Sequence, residues 1–213
     1  MQTATSKKNE PSVTRERLIE AALRVYARDG LSRATTRVIA EEAGVNEVTL
    51  FRHFQNKEGL LSEAMRHFVE SMGNQDIGEE EAWTSNLKEN LRRFATGLYG
   101  KMVQDEAFVR TMVGEAHRHP EHARTIILDT VRPIRCRFVQ NLEAARAAGC
   151  VRQDVDLNIA VEAFTSMLLG GMLKITANCS EGYTGDDYVA VCVDLFYAGI
   201  ATPQGVSVSV SQG

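Results

Sequence analysis

The segment from residue 35 to residue 61 gathers side chains that could bind a polyanion. It reads TTRVIAEEAGVNEVTLFRHFQNKEGLL and carries Arg37, Arg52, His53 and Lys57. Basic side chains bind phosphate groups, and the planar fork of an arginine can bind both major-groove acceptors of a guanine at once. The same segment also contains four acidic residues, which would repel phosphate: Glu41, Glu42, Glu47 and Glu58. Two interpretations are open, a nucleic-acid-reading element or a helical hairpin with a solvated charged face.

Helical periodicity predicts the elements that hold these side chains. The first predicted helix spans about residues 14–29 and ends at Gly30. Its apolar face consists of Leu18, Ile19, Ala22, Leu23 and Tyr26. Three further helices follow, with predicted N-caps at Thr35, Asn46 and Asn56. Gly44 permits a tight turn between the second helix and the third, so this pair has helix-turn-helix proportions.

In such a unit the second helix of the pair lies in the major groove, and the first helix crosses the DNA backbone. Val45, Leu50 and Phe54 are predicted to form the buried side of the reading helix. Thr49 could offer a methyl group to thymine or a hydroxyl group to phosphate, whereas His53 and Lys57 suit phosphate. The predicted DNA-binding residues are Thr35, Thr36, Arg37, Asn46, Glu47, Val48, Thr49, Phe51, Arg52, His53 and Lys57.

The same stretch resembles the TetR family of bacterial repressors. The resemblance covers about residues 14–61 and rests on paired threonines and an arginine, then Ile-Ala, Ala-Gly-Val, Thr-Leu, an aromatic residue, His-Phe, Lys and Leu. It implies contacts from Thr36 and Arg37, with Arg37 as the base reader. It also implies backbone or base contacts from Thr49, Phe51, His53 and Lys57, four positions that match the family's pattern.

Two residues depart from the family pattern. Family members usually carry a tyrosine where Phe51 stands, and the phosphate contact of its hydroxyl group is missing here. Glu47 stands where a basic or polar residue is common. Its carboxylate could accept a hydrogen bond from cytosine N4, or it could repel phosphate. The operator sequence therefore cannot be carried over from a relative.

Helical periodicity continues through the rest of the chain and predicts an all-α fold. The periodicity breaks at residues 71–81, and later helices are predicted from Leu87, after Pro120, near residues 156–179 and near residues 187–198. Pro133 should kink or split the long helix that contains it. Predicted domains are an N-terminal arm (1–13), a helix-turn-helix domain (14–61), a helical ligand-binding and dimerisation domain (62–200) and a flexible tail (201–213).

The last two predicted helices resemble the four-helix bundle through which TetR-like proteins dimerise. Gly170 and Gly171 would allow close approach of two helices. Contact surface is expected from Leu168, Leu169, Leu173, Val193, Phe196 and Ile200, although the same residues could form the core of one subunit. Because a palindromic operator needs a two-fold reader, we expect a homodimer.

By resemblance, a ligand site lies among the middle helices. Aromatic and methionine side chains suit an adaptable apolar site, and plain core packing is the alternative for each of them. The candidate lining residues are Trp83, Phe94, Met102, Phe108, Met112, Phe138, Phe164 and Met167. The expected ligand is a small apolar or amphipathic molecule, and no cofactor is expected.

Composition and charge agree with a cytoplasmic DNA-binding protein. The net charge is −4, yet residues 1–60 carry ten Lys and Arg against eight Asp and Glu, so the N-terminal part would meet DNA. The N-terminus lacks an apolar secretion signal, and we find no run of about 18 apolar residues that would span a membrane. Four cysteines without metal-ligand spacing are expected to be reduced and mostly buried, with redox sensing as the alternative.

Two other functions stay open. The segment EAHRHPEH places Glu115, His117, His119, Glu121 and His122 close in sequence, as in a metal-dependent enzyme. Pro120 interrupts the helix that would align them, and no nucleophile motif supports catalysis, so we expect no enzyme. The other alternative is a TetR-like DNA-binding protein that acts without a small molecule, through a protein partner or chromosome structure. The sequence favours a ligand-responsive homodimeric repressor.

Overall fold

The computed structural model of the chain describes residues 10–73, 83–118 and 120–203. Within these ranges the chain is helical apart from short connections, which confirms the all-α prediction. The helices are α1 (Glu10–Arg33), α2 (Thr36–Glu42), α3 (Glu47–Phe54), α4 (Lys57–Gly73), α5 (Leu87–Gln104), α6 (Glu106–Arg118), α7 (Pro120–Ala147), α8 (Leu157–Thr176) and α9 (Gly185–Ile200).

The chain forms two compact units whose division differs from the predicted domains. Unit 1 comprises Met1–Phe68 and Ala107–Ile126, and unit 2 comprises Val69–Glu106 and Ile127–Gly213. The predicted boundary after residue 61 therefore falls inside α4, and most of α6 joins the N-terminal unit. Residues 1–9 of the predicted arm lie outside the described residues, whereas residues 10–13 belong to α1.

Unit 1 is built on the buried face of α1. Leu18, Ile19, Ala22 and Tyr26 are buried there as predicted, while Leu23 is only half-buried. The first helical segment ends at Gly30 as predicted, because the backbone there is non-helical (φ 74°, ψ 166°). A short second segment continues to Arg33, so α1 consists of two segments joined at a kink. The left-handed conformation suits glycine, which has no Cβ to clash.

Helix α6 joins unit 1 through contacts far apart in sequence. The rings of Phe68 and Phe108 lie 5.3 Å apart, centroid to centroid. Thr111 Oγ1 donates a hydrogen bond to the carbonyl oxygen of Tyr26 at 3.2 Å. Burial raises the pKa of the Tyr26 phenol, with the Glu58 carboxylate as a smaller cause. These contacts make α6 part of the packing that supports α1 and α4.

Unit 2 is centred on an aromatic cluster. Helices α5, α8 and α9 pack against one another, and Phe138 of α7 is completely buried among their rings. Phe138 stacks on Phe94 with a centroid distance of 3.9 Å, and Phe164 stacks on Phe196 at 4.3 Å. Trp83 lies 5.8 Å from Phe138. We call Trp83, Phe94, Phe138, Phe164 and Phe196 the aromatic cluster.

Of the two predicted effects of Pro133, a kink or a split, the split does not occur, since the loss of one backbone hydrogen bond does not end a helix of 28 residues. The C-terminal residues differ from their prediction. Ala201 forms an antiparallel bridge with Val151, and Thr202 N donates to Cys150 O at 3.0 Å. The predicted tail therefore cannot begin at residue 201; residues 204–213 lie outside the described residues.

Helix α8 corrects the expectation that no segment could span a membrane. Its 20 residues have a mean hydropathy of 1.4 over the most apolar window, so length and composition alone would permit a span. However, Phe164, Leu168 and Met172 are completely buried within the unit, and α8 packs against α5 and α9. These contacts bury one face of α8 in unit 2, and 28% of its apolar window is buried.

Candidate nucleic-acid interface

The turn between α2 and α3 is shaped by Gly44 and Arg17. Gly44 has a φ of 67°, a conformation that favours glycine. Arg17 Nη2 donates a hydrogen bond to Ala43 O at 2.6 Å, which ties the turn to α1. Thr35 Oγ1 accepts from Val38 N at 3.2 Å and Asn46 Oδ1 accepts from Val48 N at 2.9 Å, so both predicted N-caps are confirmed. The chain therefore has a braced helix-turn-helix.

Helix α3 buries one side and exposes the other. Leu50 is completely buried and Phe54 nearly so, while Val45 is half-buried rather than buried as predicted. Val48 is 73% exposed and Phe51 is 43% exposed. The remaining predicted contacts on α3 are accessible to different extents: Arg52 is exposed, and Thr49 and His53 are half-buried. The exposed face thus combines apolar residues in its first turns with basic residues in its last.

Glu47 is held by a hydrogen bond from the neighbouring helix. Thr36 Oγ1 donates to Glu47 Oε1 at 2.5 Å, across eleven positions of sequence. This bond fixes the carboxylate at the start of α3, where a negative charge also suits the helix dipole. Glu47 and Thr36 were both predicted to contact DNA, and the structure brings them together.

Arg37 and Lys57 lie in different environments. The Arg37 side chain is 78% exposed, and its Nε is 3.0 Å from Glu41 Oε1 on the same helix. An exposed pair of this kind is weak, so the guanidinium can exchange its partner for a base at little cost. By contrast, Lys57 Nζ donates to the carbonyl oxygen of Leu31. That bond gives Lys57 a structural role, whereas the sequence predicted only a DNA contact for this residue.

Two arginines of α1 neutralise Glu42 and were missed by the sequence reading. Arg28 Nη1 and Arg24 Nε each lie 3.1 Å from a carboxylate oxygen of Glu42. Hydrogen bonds from Arg28 and then Arg24 hold the pKa of this carboxyl below its usual range. Because the partners are 14 and 18 positions away, no local sequence signal could have paired them.

Comparisons with known proteins match both parts of the chain. The profile of the bacterial regulatory proteins of the tetR family matches residues 18–64. The profile of the AefR-like transcriptional repressor C-terminal domain matches residues 89–198, which is more than half of the chain. The chain belongs to the TetR family. It is therefore a transcriptional regulator of a non-enzymatic family.

Individual relatives of this TetR-family regulator differ in how much of the chain they match. The transcriptional repressor KstR2 of Mycolicibacterium smegmatis is 25% identical over 200 residues, covering 92% of this chain and 95% of KstR2. The regulator YvkB of Bacillus subtilis is 37% identical over 60 residues, covering 28% of this chain and 32% of YvkB. The shorter match therefore covers under a third of that relative.

Solved structures share the fold over nearly the whole chain. The flavonoid-responsive regulator FrrA has a TM-score of 0.68 and 27% identity, covering 90% of this chain and 99% of its own. Salmonella enterica GusR has a TM-score of 0.75 and 20% identity, covering 91% of this chain and all of its own. The TetR-like fold predicted from the helix-turn-helix is confirmed.

Four of the predicted ligand-lining residues of the TetR-family regulator meet in the aromatic cluster. The rings of Trp83, Phe94 and Phe164 each contact the ring of Phe138, and Phe196 is a fifth ring that contacts Phe138 and Phe164. Met102 is buried on α5 and Met167 is half-buried on α8. Phe108 and Met112 are buried in unit 1, so they do not belong to this cluster.

A cleft of about 390 Å³ lies elsewhere in unit 2, between the start of α5 and the middle of α9. Five of its seven lining residues are polar or charged, although apolar atoms form most of the exposed wall, and Lys88 Nζ lies 2.8 Å from Asp194 Oδ1. The lining residues are Asn86, Lys88, Glu89, Arg92, Ala190, Val193 and Asp194. None of the predicted ligand-lining residues is among them.

The predicted dimer residues divide into core and surface. Leu168, Gly171, Val193, Phe196 and Ile200 are buried within one subunit, so the alternative of intramolecular core holds for these five. A Cβ on Gly171 would lie 2.0 Å from the Tyr188 ring, so this glycine serves α8–α9 packing inside the subunit. Leu169 and Leu173 are half-buried, and Gly170 is exposed.

The histidine segment and the cysteines give no site among the described residues. His117 is exposed, His119 lies outside the described residues, and the side chains of Glu115, Glu121 and His122 are not described. No group of potential metal ligands occurs in the part of the chain that the structure describes. Of the cysteines, Cys192 is buried, Cys150 is half-buried, and Cys136 and Cys179 are exposed. The expectation of mostly buried thiols was wrong.

Proposed function

We propose that this regulator binds a palindromic operator as a homodimer, represses transcription in the cytoplasm, and is released from DNA by a small apolar or amphipathic ligand. The observation that carries the proposal is the exposed face of α3, flanked by the accessible guanidinium of Arg37 on α2. A repressor domain profile over the C-terminal region supports repression.

In the proposed interface, one group of residues reads bases and another group contacts phosphates. Arg37 reads a guanine through its two major-groove acceptors, and Glu47 accepts from the amino group of a cytosine. Thr49, Arg52 and His53 contact phosphates and set the register of α3 in the groove. Because Lys57 already donates to Leu31 O, it supports the fold of the site and contributes its charge at a distance.

An apolar surface on α8 and α9 supports the homodimer. Ile159, Val191 and Leu195 are exposed, although large apolar side chains are normally buried. Gly170 is also exposed on α8, and its missing side chain would let another helix approach closely. We assign the contact between subunits to these residues, together with Leu169 and Leu173, rather than to the five buried residues.

The aromatic cluster supports an amphipathic, aromatic ligand. One turn beyond Phe138, Asn141 is 7% exposed, and its Nδ2 has no hydrogen-bond partner within the described part of the chain. A buried donor without an acceptor is costly, so a ligand oxygen at this place would be favoured. FrrA, which is 27% identical, responds to flavonoids by its name, and flavonoid-like molecules are a reasonable first screen.

The test is DNA binding by the wild-type protein and by Arg37→Ala. Intergenic DNA next to the gene is footprinted, and its affinity is measured at several salt concentrations. We expect affinity to fall steeply with salt because phosphate contacts release counterions. Arg37→Ala should weaken operator binding by about tenfold to a hundredfold, as expected for a lost bidentate base contact.

Arg92→Ala is the matched control, because Arg92 is also an exposed arginine paired to a glutamate on its own helix. Equal operator affinity of Arg37→Ala and Arg92→Ala would contradict base reading by Arg37. The ligand is tested separately: a compound that raises the melting temperature and releases the operator supports induction. A library of such compounds with neither effect would favour a regulator that acts through a protein partner.

A further inference from the structure

We propose that α3 reads thymine through its C5-methyl group, by an apolar patch formed by Val48 and Phe51. This inference rests on the proposed function, because it specifies the chemistry of the bases that the regulator selects. Val48 is 73% exposed and Phe51 is 43% exposed. They are three positions apart on one helix, so their side chains are neighbours on its surface.

The patch is fixed in place by the residues around it. Asn46 Oδ1 accepts from the backbone nitrogen of Val48 at 2.9 Å, which holds the first turn of α3. Leu50 and Phe54 anchor the opposite side of the helix in the core of unit 1. Valine has one strongly preferred side-chain rotamer in a helix. Val48 therefore presents two methyl groups with little freedom, as a selective contact requires.

The surroundings of the patch favour DNA as its partner. Arg52 and His53 lie in the last turn of α3, so the apolar surface is bordered by basic side chains. Residues in the first turn of a helix-turn-helix reading helix contact base edges, and Val48 is the second residue of α3. A patch that only bound another protein would not need this position.

Among the groups that bases display in the major groove, the thymine methyl is the apolar one. Val48 has no side-chain donor or acceptor, so it would leave the polar edge of another base without a hydrogen bond. Phe51 lacks the hydroxyl group that family members carry at this position, which extends the apolar surface. We therefore assign at least one thymine of each half-site to the patch.

The experiment replaces thymine by deoxyuridine, which differs only in the missing methyl group. An operator is first selected from random DNA with the wild-type protein, and each thymine of the half-site is then exchanged in turn. At one or two positions we expect affinity to fall by about fourfold per exchange, the value of one buried methyl group. Val48→Ala should bind the thymine and uracil operators with nearly equal affinity.

Val103→Ala is the control variant, since Val103 is an exposed valine of α5 in unit 2. It should retain the full preference for thymine. The inference is overturned if a uracil-only operator binds as tightly as the thymine operator, or if Val48→Ala keeps the preference. A change of oligomeric state in Val48→Ala, with the thymine preference unaltered, would overturn it in favour of a protein contact. Failure of the wild-type protein to select any DNA would overturn the proposed function itself.

Discussion

Gly59 lies in the first turn of α4, where its missing side chain leaves room for a backbone carbonyl. A Cβ at this position would lie 2.5 Å from Phe54 O and 3.1 Å from Asn56 Oδ1. Asn56 Oδ1 also accepts from Gly59 N at 2.7 Å, which caps α4. The close approach therefore joins the end of α3 to the start of α4, and it fixes the direction in which the chain leaves the reading helix.

Gly59→Ala should lower the free energy of unfolding by about 1–3 kcal/mol, because the backbone must move to relieve the clash. Gly100→Ala is the control: Gly100 is helical, and a Cβ there would meet nothing within 4 Å. Removal of that glycine should raise stability by about 0.5–1 kcal/mol. Chemical denaturation of both variants measures the difference, and equal stabilities would contradict the clash.

At the scale of elements, helix ends were the features best predicted from sequence. Thr35, Asn46 and Asn56 each cap the helix they were expected to cap, since a cap depends on residues within one turn. Contacts between distant segments could not be predicted this way. The bond of Lys57 to Leu31 O spans 26 positions, and only the folded path of the chain brings the two together.

The capping box of α9 gives a prediction for stability and pH. Thr184 Oγ1 accepts from Asp187 N, and the Asp187 carboxylate accepts from Thr184 N at 2.8 Å. Thr184→Ala should cost about 1 kcal/mol in the free energy of unfolding. Hydrogen bonds from the Thr184 backbone and then its hydroxyl group hold the pKa of the Asp187 carboxyl below its usual range.

A carboxyl group with a lowered pKa stabilises the fold above its ordinary pKa, and this contribution is lost as the pH falls through the lowered value. The stability difference between the wild-type protein and Asp187→Asn should thus be constant near neutral pH and should shrink below about pH 4. Denaturation curves from pH 3 to pH 7 measure it. A difference that grows on acidification would show that the charge does not support the cap.

At the scale of the whole molecule, the sequence predicted which two helices form the proposed dimer contact, but it could not separate their core residues from their surface residues. Helices α8 and α9 carry apolar residues on several sides, so periodicity alone could not separate core from surface. Burial makes that separation: Val193 and Phe196 are core residues, while Val191 and Leu195 are exposed on the same helix. The aromatic residues predicted to line the ligand site were not separated by sequence either: Phe108 lies in unit 1, whereas Trp83, Phe94, Phe138 and Phe164 lie in unit 2.

Leu195→Glu should raise the dissociation constant of the proposed homodimer by about tenfold or more, because a buried unpaired charge is costly at an interface. The fold of the subunit should remain, since Leu195 is 62% exposed. Sedimentation over a range of protein concentrations measures the constant. Val103→Glu is the control on α5, and an identical constant for both variants would place the contact elsewhere.

The packing of α6 in unit 1 limits how regulators of this kind can exchange parts. Phe108 and Thr111 come from beyond residue 106, yet they contact Phe68 and the backbone of Tyr26. A chimera that joins the first 68 residues to a foreign C-terminal region would replace both partners and leave the Phe68 ring without its neighbour. A hybrid regulator with an intact DNA-binding unit must therefore also inherit residues 107–126, so that at least three crossover points are needed.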